Sequence, residues 1–384
     1  MAGTVSVVLP TYNRCALIGE TVESLLAQSR APVEILIVDD GSTEDLAPVL
    51  APFGDRIRLL RKENGGKATA LNLGLSKITG DYVWICDDDD LLLEHACQSL
   101  AGALDADPNL DFVAGRFEDF RVDPATGAHI RKKPGYWRPS APDTLFFDVL
   151  DDCHIFQPGL MARKKTYETV GPFREDLVRS QDYEMLLRLC RLQRGALLDD
   201  LVFLHRDHDA PRGSSTDRFT IEQNNARWAA YNRKIFEPLL ADLRPEELLP
   251  AAIWNDPHTV DRRERRAELK RASVYARRWM WPEAVEIWTR LARFDDNPLD
   301  TYEMELVRSA TLSVMGSDGL LENDAVRQCV LGLRRISPLG KEIASALGAS
   351  VAWQAKRAIK ARNFPEALTV ARFVAKARFG APIA

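Results

Sequence analysis

The first half of the chain alternates short β-branched runs with stretches of helical spacing. Val5-Ser6-Val7-Val8-Leu9 is an apolar run ended by Pro10, which predicts a buried strand. Leu17, Ile18, Val22, Leu25 and Leu26 recur at helical spacing within 16–29, and Pro32 follows as a stop. Glu34 to Val38 predicts a second strand that breaks into Asp39-Asp40-Gly41-Ser42, Ile57 to Leu60 predicts a third, and 66–77 predicts another helix. Tyr82 to Cys86 predicts a fourth strand, which runs directly into Asp87-Asp88-Asp89-Asp90. Strand–helix–strand alternation implies right-handed crossovers and a mostly parallel central sheet. In such sheets ligands sit beyond the carboxyl ends of the strands. Thr11-Tyr12-Asn13, Asp39-Asp40 and the four aspartates all fall there, so several loops converge on one rim.

From about residue 225 the pattern becomes helical throughout. Apolar spacing of the 3.6 type predicts helices over 226–240, 262–278, 283–294, 302–315, 322–335 and 342–378. Trp281-Pro-Glu-Ala and Phe364-Pro-Glu-Ala each join an Ala/Arg-rich helix to another. This echo is reminiscent of tetratricopeptide-type hairpins, with a plain bundle as the alternative. The expected architecture is an α/β domain over 1–225 followed by an all-α domain over 226–384.

Composition and charge sharpen this picture. Of 384 residues, 46% are hydrophobic and 28% charged, which excludes a disordered or fibrous chain. No apolar run approaches the roughly 18 residues that span a bilayer. Met1-Ala-Gly-Thr passes straight into the first strand without a basic leader, so the expectation is a cytoplasmic chain. Six scattered cysteines form no C-x-x-C pair and fit free thiols in a reducing compartment. The net charge of −5 divides into −11 over residues 1–225 and +6 over 226–384. An acidic first half argues against nucleic acid as a partner and suits a site that recruits a divalent cation to handle phosphates. In the second half, 261–278 hold eight Lys/Arg against three Asp/Glu, and 351–384 hold seven against one. A basic helical face of this kind is either a plain solvated helix surface or a peripheral contact with anionic lipid at the inner face of the plasma membrane.

The candidate chemistry sits on the rim. Four adjacent carboxylates at the end of an apolar strand repel one another unless a cation lies among them. Mg²⁺ or Mn²⁺ is commonly shared between such carboxylates and substrate phosphates. The alternative is an acidic turn in which Asp90 caps a helix starting near Leu91, and the two combine if Asp87 and Asp89 face the rim. Asn64-Gly65-Gly66-Lys67 is not a P-loop, because Arg61 stands where its first glycine belongs and Ala68 replaces Ser/Thr. No G-x-G-x-x-G, G-x-S-x-G or H-E-x-x-H is present, so hydride transfer, serine hydrolysis and zinc proteolysis lose their usual support.

The order Pro10-Thr-Tyr-Asn-Arg, Val38-Asp-Asp-Gly-Ser, Asn64-Gly-Gly-Lys-Ala-Thr-Ala-Leu-Asn72, Asp87 to Asp90, Val170-Gly-Pro-Phe and Ser180-Gln-Asp-Tyr-Glu resembles the family 2 glycosyltransferases of the GT-A fold. The resemblance covers about residues 4–215. It implies a nucleotide pocket formed by Pro10, Thr11, Tyr12, Asn13, Asp39 and Asp40 with Asn64, Gly65, Lys67, Asn72, Asp87 and Asp88, in which Asp39 contacts the base. It implies a metal held by Asp87, Asp89 and the late His208. Asp182 takes the place of the family's catalytic base, although Gln181 replaces the commoner Glu before it. An Asp at a helix start is otherwise a cap. Tyr136-Trp137-Arg138 and His154-Ile155-Phe156-Gln157 lie where acceptor loops usually sit, with Trp137 and Gln157 as candidates and plain packing as the alternative for Trp137. The expected activity is metal-dependent, inverting transfer from a nucleotide-sugar, a UDP-sugar above others, to a glycan or lipid-linked acceptor in surface polysaccharide assembly. A sugar-nucleotide pyrophosphorylase and a non-catalytic scaffold are the rivals. The former loses support because Pro10-Thr-Tyr-Asn replaces its glycine-rich first loop.

Overall fold

The computed structural model describes residues 2–207 and 224–380. Two compact units are present: Met1–Val149 with Cys153–Phe219, and Leu150–Asp152 with Thr220–Ala384.

The first unit is built on β1 (Val5–Thr11), β2 (Glu34–Asp39), β3 (Arg58–Arg61), β4 (Tyr82–Ile85), β5 (Leu91–Leu92), β6 (Phe112–Val122), β7 (His129–Pro134), β8 (Leu160–Arg163) and β9 (Gly195–Arg206). They form one sheet in the order β3-β2-β1-β4-β8-β6-β9-β5, with β7 paired to β6. As the strand–helix alternation requires, β3, β2, β1 and β4 run parallel. Beyond β4 the sheet is mixed: β8 is antiparallel to both β4 and β6, β9 is parallel to β6, and β5 is antiparallel to β9. The chain therefore has the expected α/β class, with antiparallel strands in the part where no simple alternation was legible.

Every residue of β1 is buried, because the strand is central and covered on both faces. The helix Cys15–Leu26 turns Ile18, Thr21, Val22 and Leu25 inward, the spacing of one helical face. The helix Lys67–Leu75 sits close to the sheet because Gly74 carries no side chain; a Cβ there would lie 2.5 Å from a Val8 methyl. Each fully buried Val, Leu or Ile contributes roughly 1.5–3 kcal/mol. The edge pair of Arg58 with Glu34, at 3.5 Å and partly exposed, is worth roughly 0–1 kcal/mol. Apolar burial thus decides where β1 and β2 lie.

The second unit is helical. The expected long helix over 342–378 is three helices, Pro338–Ser350, Ala352–Lys360 and Phe364–Phe379, and the expected 302–315 is divided into Thr301–Ser309 and Val314–Leu321. New N-caps mark two of the breaks: Ser313 accepts from the N–H of Gly316 and Asn363 from that of Glu366, whereas Val351, before Ala352–Lys360, makes no side-chain cap. The two echoed motifs share one turn geometry. Trp279 and Arg362, each two residues before the aromatic, have φ of +64° and +60°. Met280 N–H bonds to Tyr275 C=O and Asn363 N–H to Ala358 C=O, the six-to-one bond of a Schellman motif.

The basic stretch 261–278 does not form an open cationic face. Arg265, Arg266, Lys270, Arg277 and Arg278 are buried within the helical unit. Arg265 meets Glu303 at 2.6 Å, Arg266 meets Asp300 at 2.8 Å, and Lys270 meets Asp151 at 2.7 Å. Arg277 meets Asp152, and Arg278 donates to the C=O groups of Leu150 and Asp151, so this stretch is corrected from a lipid-docking face to a buried network of ion pairs and hydrogen bonds.

Candidate active site

The rim forms where β1, β2 and β4 end. Thr11, the last residue of β1, donates its hydroxyl to Asp88 at 2.6 Å, which joins the β1 and β4 ends directly. Pro10 lies buried just before it and Tyr12 is half-buried just after. Asn13 adopts φ +53°, and its side-chain oxygen accepts from the N–H groups of Thr43 and Glu44. This ties the first loop to the second. Asp39 is buried and accepts from the N–H of Ser42 at 2.8 Å, with Arg61 at 3.6 Å from its other oxygen. Asp40 gathers the third loop, accepting from Lys62 Nζ, the Asn64 amide and the N–H groups of Gly65 and Gly66. Gly41 must be glycine: its φ is +77°, and a Cβ would lie 2.7 Å from the Asn64 nitrogen.

The four aspartates alternate. Asp88 and Asp90 point inward and are buried, while Asp87 and Asp89 keep side-chain exposures of 30% and 21%. Asp90 does not cap a helix. It accepts from the N–H of Arg206, and Leu91–Leu92 continues as β5 against β9, so the next helix begins only at Ala96. Burial, and then the charge of Asp89, push the Asp88 carboxyl up to about 7, against the Thr11 hydrogen bond and Arg14. Asp90 is raised by burial and by Asp89 in the same way. Lys67 supplies countercharge, with its Nζ 2.5 Å from Asp87. Burial alone would lower the Lys67 ammonium, but the carboxylates of Asp87, Asp182 and Asp89 reverse this and hold it above its usual range. Arg14 lies 3.9 Å from Asp89.

Asp182 lies in the first turn of the helix Gln181–Leu192, which follows Ser180 at φ +57°. Ser180 holds the cap position, and Asp182 accepts from the adjacent N–H of Tyr183. Tyr183 fixes the helix start by donating its hydroxyl to Val149 C=O at 2.6 Å. Asp182 lines a small pocket with Phe156, Gln157, Tyr167, Met185 and Leu186. Gln157 therefore shares a pocket with Asp182, whereas Trp137, half-buried after β7, is not among its lining residues. The side-chain oxygens of Gln157 and Gln181 are buried without a hydrogen-bond partner among the described residues.

The donor set suits a hard cation. Asp87 and Asp89 offer carboxylate oxygens outward from a like-charged turn, the kind of ligand Mg²⁺ or Mn²⁺ takes together with phosphate and water. Among the described residues no three His, Cys, Asp or Glu side chains are gathered for a metal ion, and His208 lies outside the described residues. The remaining ligands would then come from a bound diphosphate and solvent.

Residues 6–170 match the profile of glycosyl transferase family 2. The chain carries a family 2 glycosyltransferase region. An uncharacterized glycosyltransferase of Rickettsia typhi is 25% identical over 235 residues, covering 60% of this chain and 72% of that relative. A Rickettsia felis relative is 26% identical, but the match spans only 39% of its length. The glycosyltransferase GlyG of Streptococcus pneumoniae is 36% identical over 124 residues, covering 31% of this chain and 41% of GlyG. Among solved structures, S. aureus TarS 1–349 in complex with UDP-GlcNAc superposes with a TM-score of 0.53 at 15% identity, covering 98% of this chain and 92% of that one. Residues 6–170 thus match glycosyl transferase family 2, and the fold, an α/β domain followed by a helical region, is like that of TarS 1–349.

Two residues hold the site in ways the sequence did not signal. Arg206 is buried at the end of β9, where its guanidinium donates to Asp89 C=O and Glu20 and lies 4.6 Å from the Phe120 ring centre. It pins the aspartate turn from the end of the strand that pairs with β5. A lone arginine after an apolar strand gives no such cue. Asn72 spends both ends of its amide on the 173–175 turn: it donates to Phe173 C=O and Glu175, and accepts from Phe173 N–H. Its placement is therefore as a brace between the Lys67–Leu75 helix and the turn that leads to Asp182.

Proposed function

We propose that this glycosyltransferase takes a nucleotide-diphosphate sugar, with UDP as the nucleotide, and passes the sugar with inversion to a hydroxyl of a glycan or lipid-linked glycan in surface polysaccharide assembly. The observation that carries this reading is Lys67, whose ammonium feels Asp87, Asp182 and Asp89 together. The Lys67–Asp87 contact at 2.5 Å, with Asp182 and Asp89 near the same ammonium, supports reading the candidate base and the candidate metal carboxylates as one site. Fold likeness to a protein solved with UDP-GlcNAc supports the choice of UDP.

In this reading Asp182 accepts the acceptor hydroxyl's proton as that oxygen attacks the anomeric carbon, on the face opposite the leaving nucleotide. Lys67 and Arg14 offer positive charge where the diphosphate departs. Asp87 and Asp89 would hold Mn²⁺ or Mg²⁺, which when bound neutralises charge on the diphosphate oxygens. Asp39, Asp40 and the loops they order shape the nucleotide side of the rim. Gln157 faces the acceptor beside Asp182. Residues 1–225 form the catalytic domain in this reading, and the protein works in the cytoplasm. Among the described residues no helix is long and apolar enough to cross a membrane.

Calorimetric titration of UDP and GDP, with and without Mn²⁺, tests the donor side. We expect metal-enhanced UDP binding that Asp89→Ala weakens strongly. Asp182→Asn should keep UDP binding and lower kcat by roughly 10²–10⁴. Full transfer activity in both variants would overturn the assignment.

A further inference from the structure

The two echoed hairpins differ in what covers their second helix. In the helix Trp281–Phe294, the positions of Trp281, Trp288 and Ala292 are buried to 1%, 0% and 1% exposure. The equivalent positions in Phe364–Phe379 are Phe364, Ala371 and Ala375, and Phe364 is 64% exposed. The later helix is apolar on two sides. Ala367, Val370, Phe373 and Ala377 face inward, while Phe364, Leu368 and Phe379 are exposed. A helix apolar all round normally has both sides covered.

Around this outer face basic groups outnumber acidic ones, although Asp318 lies near Arg357 and Glu366, and Glu322 near Glu366. Arg372, Lys376 and Arg378 are exposed on the same helix, with Glu366 as its one acidic residue. The preceding helix Ala352–Lys360 repeats the combination: Trp353 is 48% exposed amid Lys356, Arg357 and Lys360, at i, i+3, i+4 and i+7. The Arg357 guanidinium lies 5.7 Å from the Trp353 ring centre.

We infer that the hairpin 352–379 is a docking surface for an anionic lipid membrane. Exposed Trp, Phe and Leu enter the headgroup boundary, and the flanking Lys and Arg meet acidic headgroups. A second copy of the chain would cover the apolar side, but it would set the seven Lys and Arg of 352–379 against their own equals with Glu366 and the nearby Asp318 and Glu322 to pair them. This surface is separate from the 263–277 helix, whose cations are buried. The inference deepens the lipid-linked acceptor reading but does not depend on glycosyl transfer.

The test is co-sedimentation of the full chain with vesicles of phosphatidylcholine, with and without phosphatidylglycerol. Binding should require phosphatidylglycerol and fall with added salt. Phe364→Ser with Leu368→Ser, and separately Lys356→Glu with Lys360→Glu, should each weaken it by roughly tenfold or more. UDP binding, measured in the same variants, should be unchanged; its loss throughout, with vesicle binding intact, would count against the donor reading alone. Binding to neither vesicle, or equal binding to both, overturns the docking surface. So does a dimer in sedimentation equilibrium that the Phe364 and Leu368 substitutions dissociate, which would give the face to a second copy.

Discussion

The Asp40 carboxylate accepts from Lys62, Asn64 and the N–H groups of Gly65 and Gly66, and it is 3% exposed. The sequence marks it as a strand-end carboxylate and therefore as a ligand contact. Its contacts show that it also builds the loop that precedes Lys67. Replacing it by Asn would put an amide NH₂ against donors and leave at least one of them unmet, at a cost of roughly 1–3 kcal/mol. Urea unfolding of Asp40→Asn should show that loss, with weaker UDP binding as the loop loosens. Unchanged stability would mean the loop is held by other groups. Strand-end carboxylates are legible as polar residues after an apolar run, but the partners that consume them lie 22 to 26 positions along the chain. No spacing rule reveals such pairings.

At the level of elements, the amino edge of the parallel sheet turns on Glu34. It accepts from the Ser6 hydroxyl at 2.6 Å and from the N–H and hydroxyl of Thr79 at 2.6 and 2.8 Å, so one carboxylate ties β1 and β2 to the loop before β4. Burial pushes its pKa up, but the bonds from Ser6 and Thr79, with Arg58 nearby, outweigh this and hold it below the usual value. A lowered folded pKa means that the stabilisation is present above the unfolded value of about 4.3 and fades as pH falls through the folded one. Glu34→Gln should therefore cost roughly 1–2 kcal/mol at neutral pH, shrinking below about pH 4, in paired urea titrations. A difference that persists undiminished in acid would assign the loss to packing instead. The four parallel strands were legible because each is an apolar run with a clear stop. β5 was not, because two residues between an acidic turn and a helix carry no period, and only their pairing with Leu204 and Phe203 makes them a strand. Likewise the break at Arg362 lies within a continuous Ala/Arg-rich pattern, and it depends on a left-handed residue that composition does not single out.

Across the whole chain, the +6 balance of residues 226–384 conceals two unlike populations of cations. Those of the 352–379 hairpin face solvent. Those of the Arg263–Arg277 helix are turned inward at Arg265, Arg266, Lys270 and Arg277, against Glu303, Asp300, Asp151 and Asp152. Charge counting cannot separate the two, because the carboxylates at Asp151 and Asp152 stand more than a hundred residues before the helix that they neutralise. The energetics separate them sharply. Lys270 has 0% exposure, so Lys270→Met leaves Asp151 buried with its nearest cation gone, at a cost of roughly 3–5 kcal/mol. Lys360→Met, on the open hairpin, should change stability by less than about 0.5 kcal/mol. Comparative urea unfolding of the two variants, followed through the helical signal, should show a midpoint far lower for the first and close to the parent for the second. Equal midpoints would mean that the Lys270 pair adds nothing beyond its volume, and that the bonds of Arg277 and Arg278 to the segment Leu150–Asp152 hold it within the helical unit without Lys270.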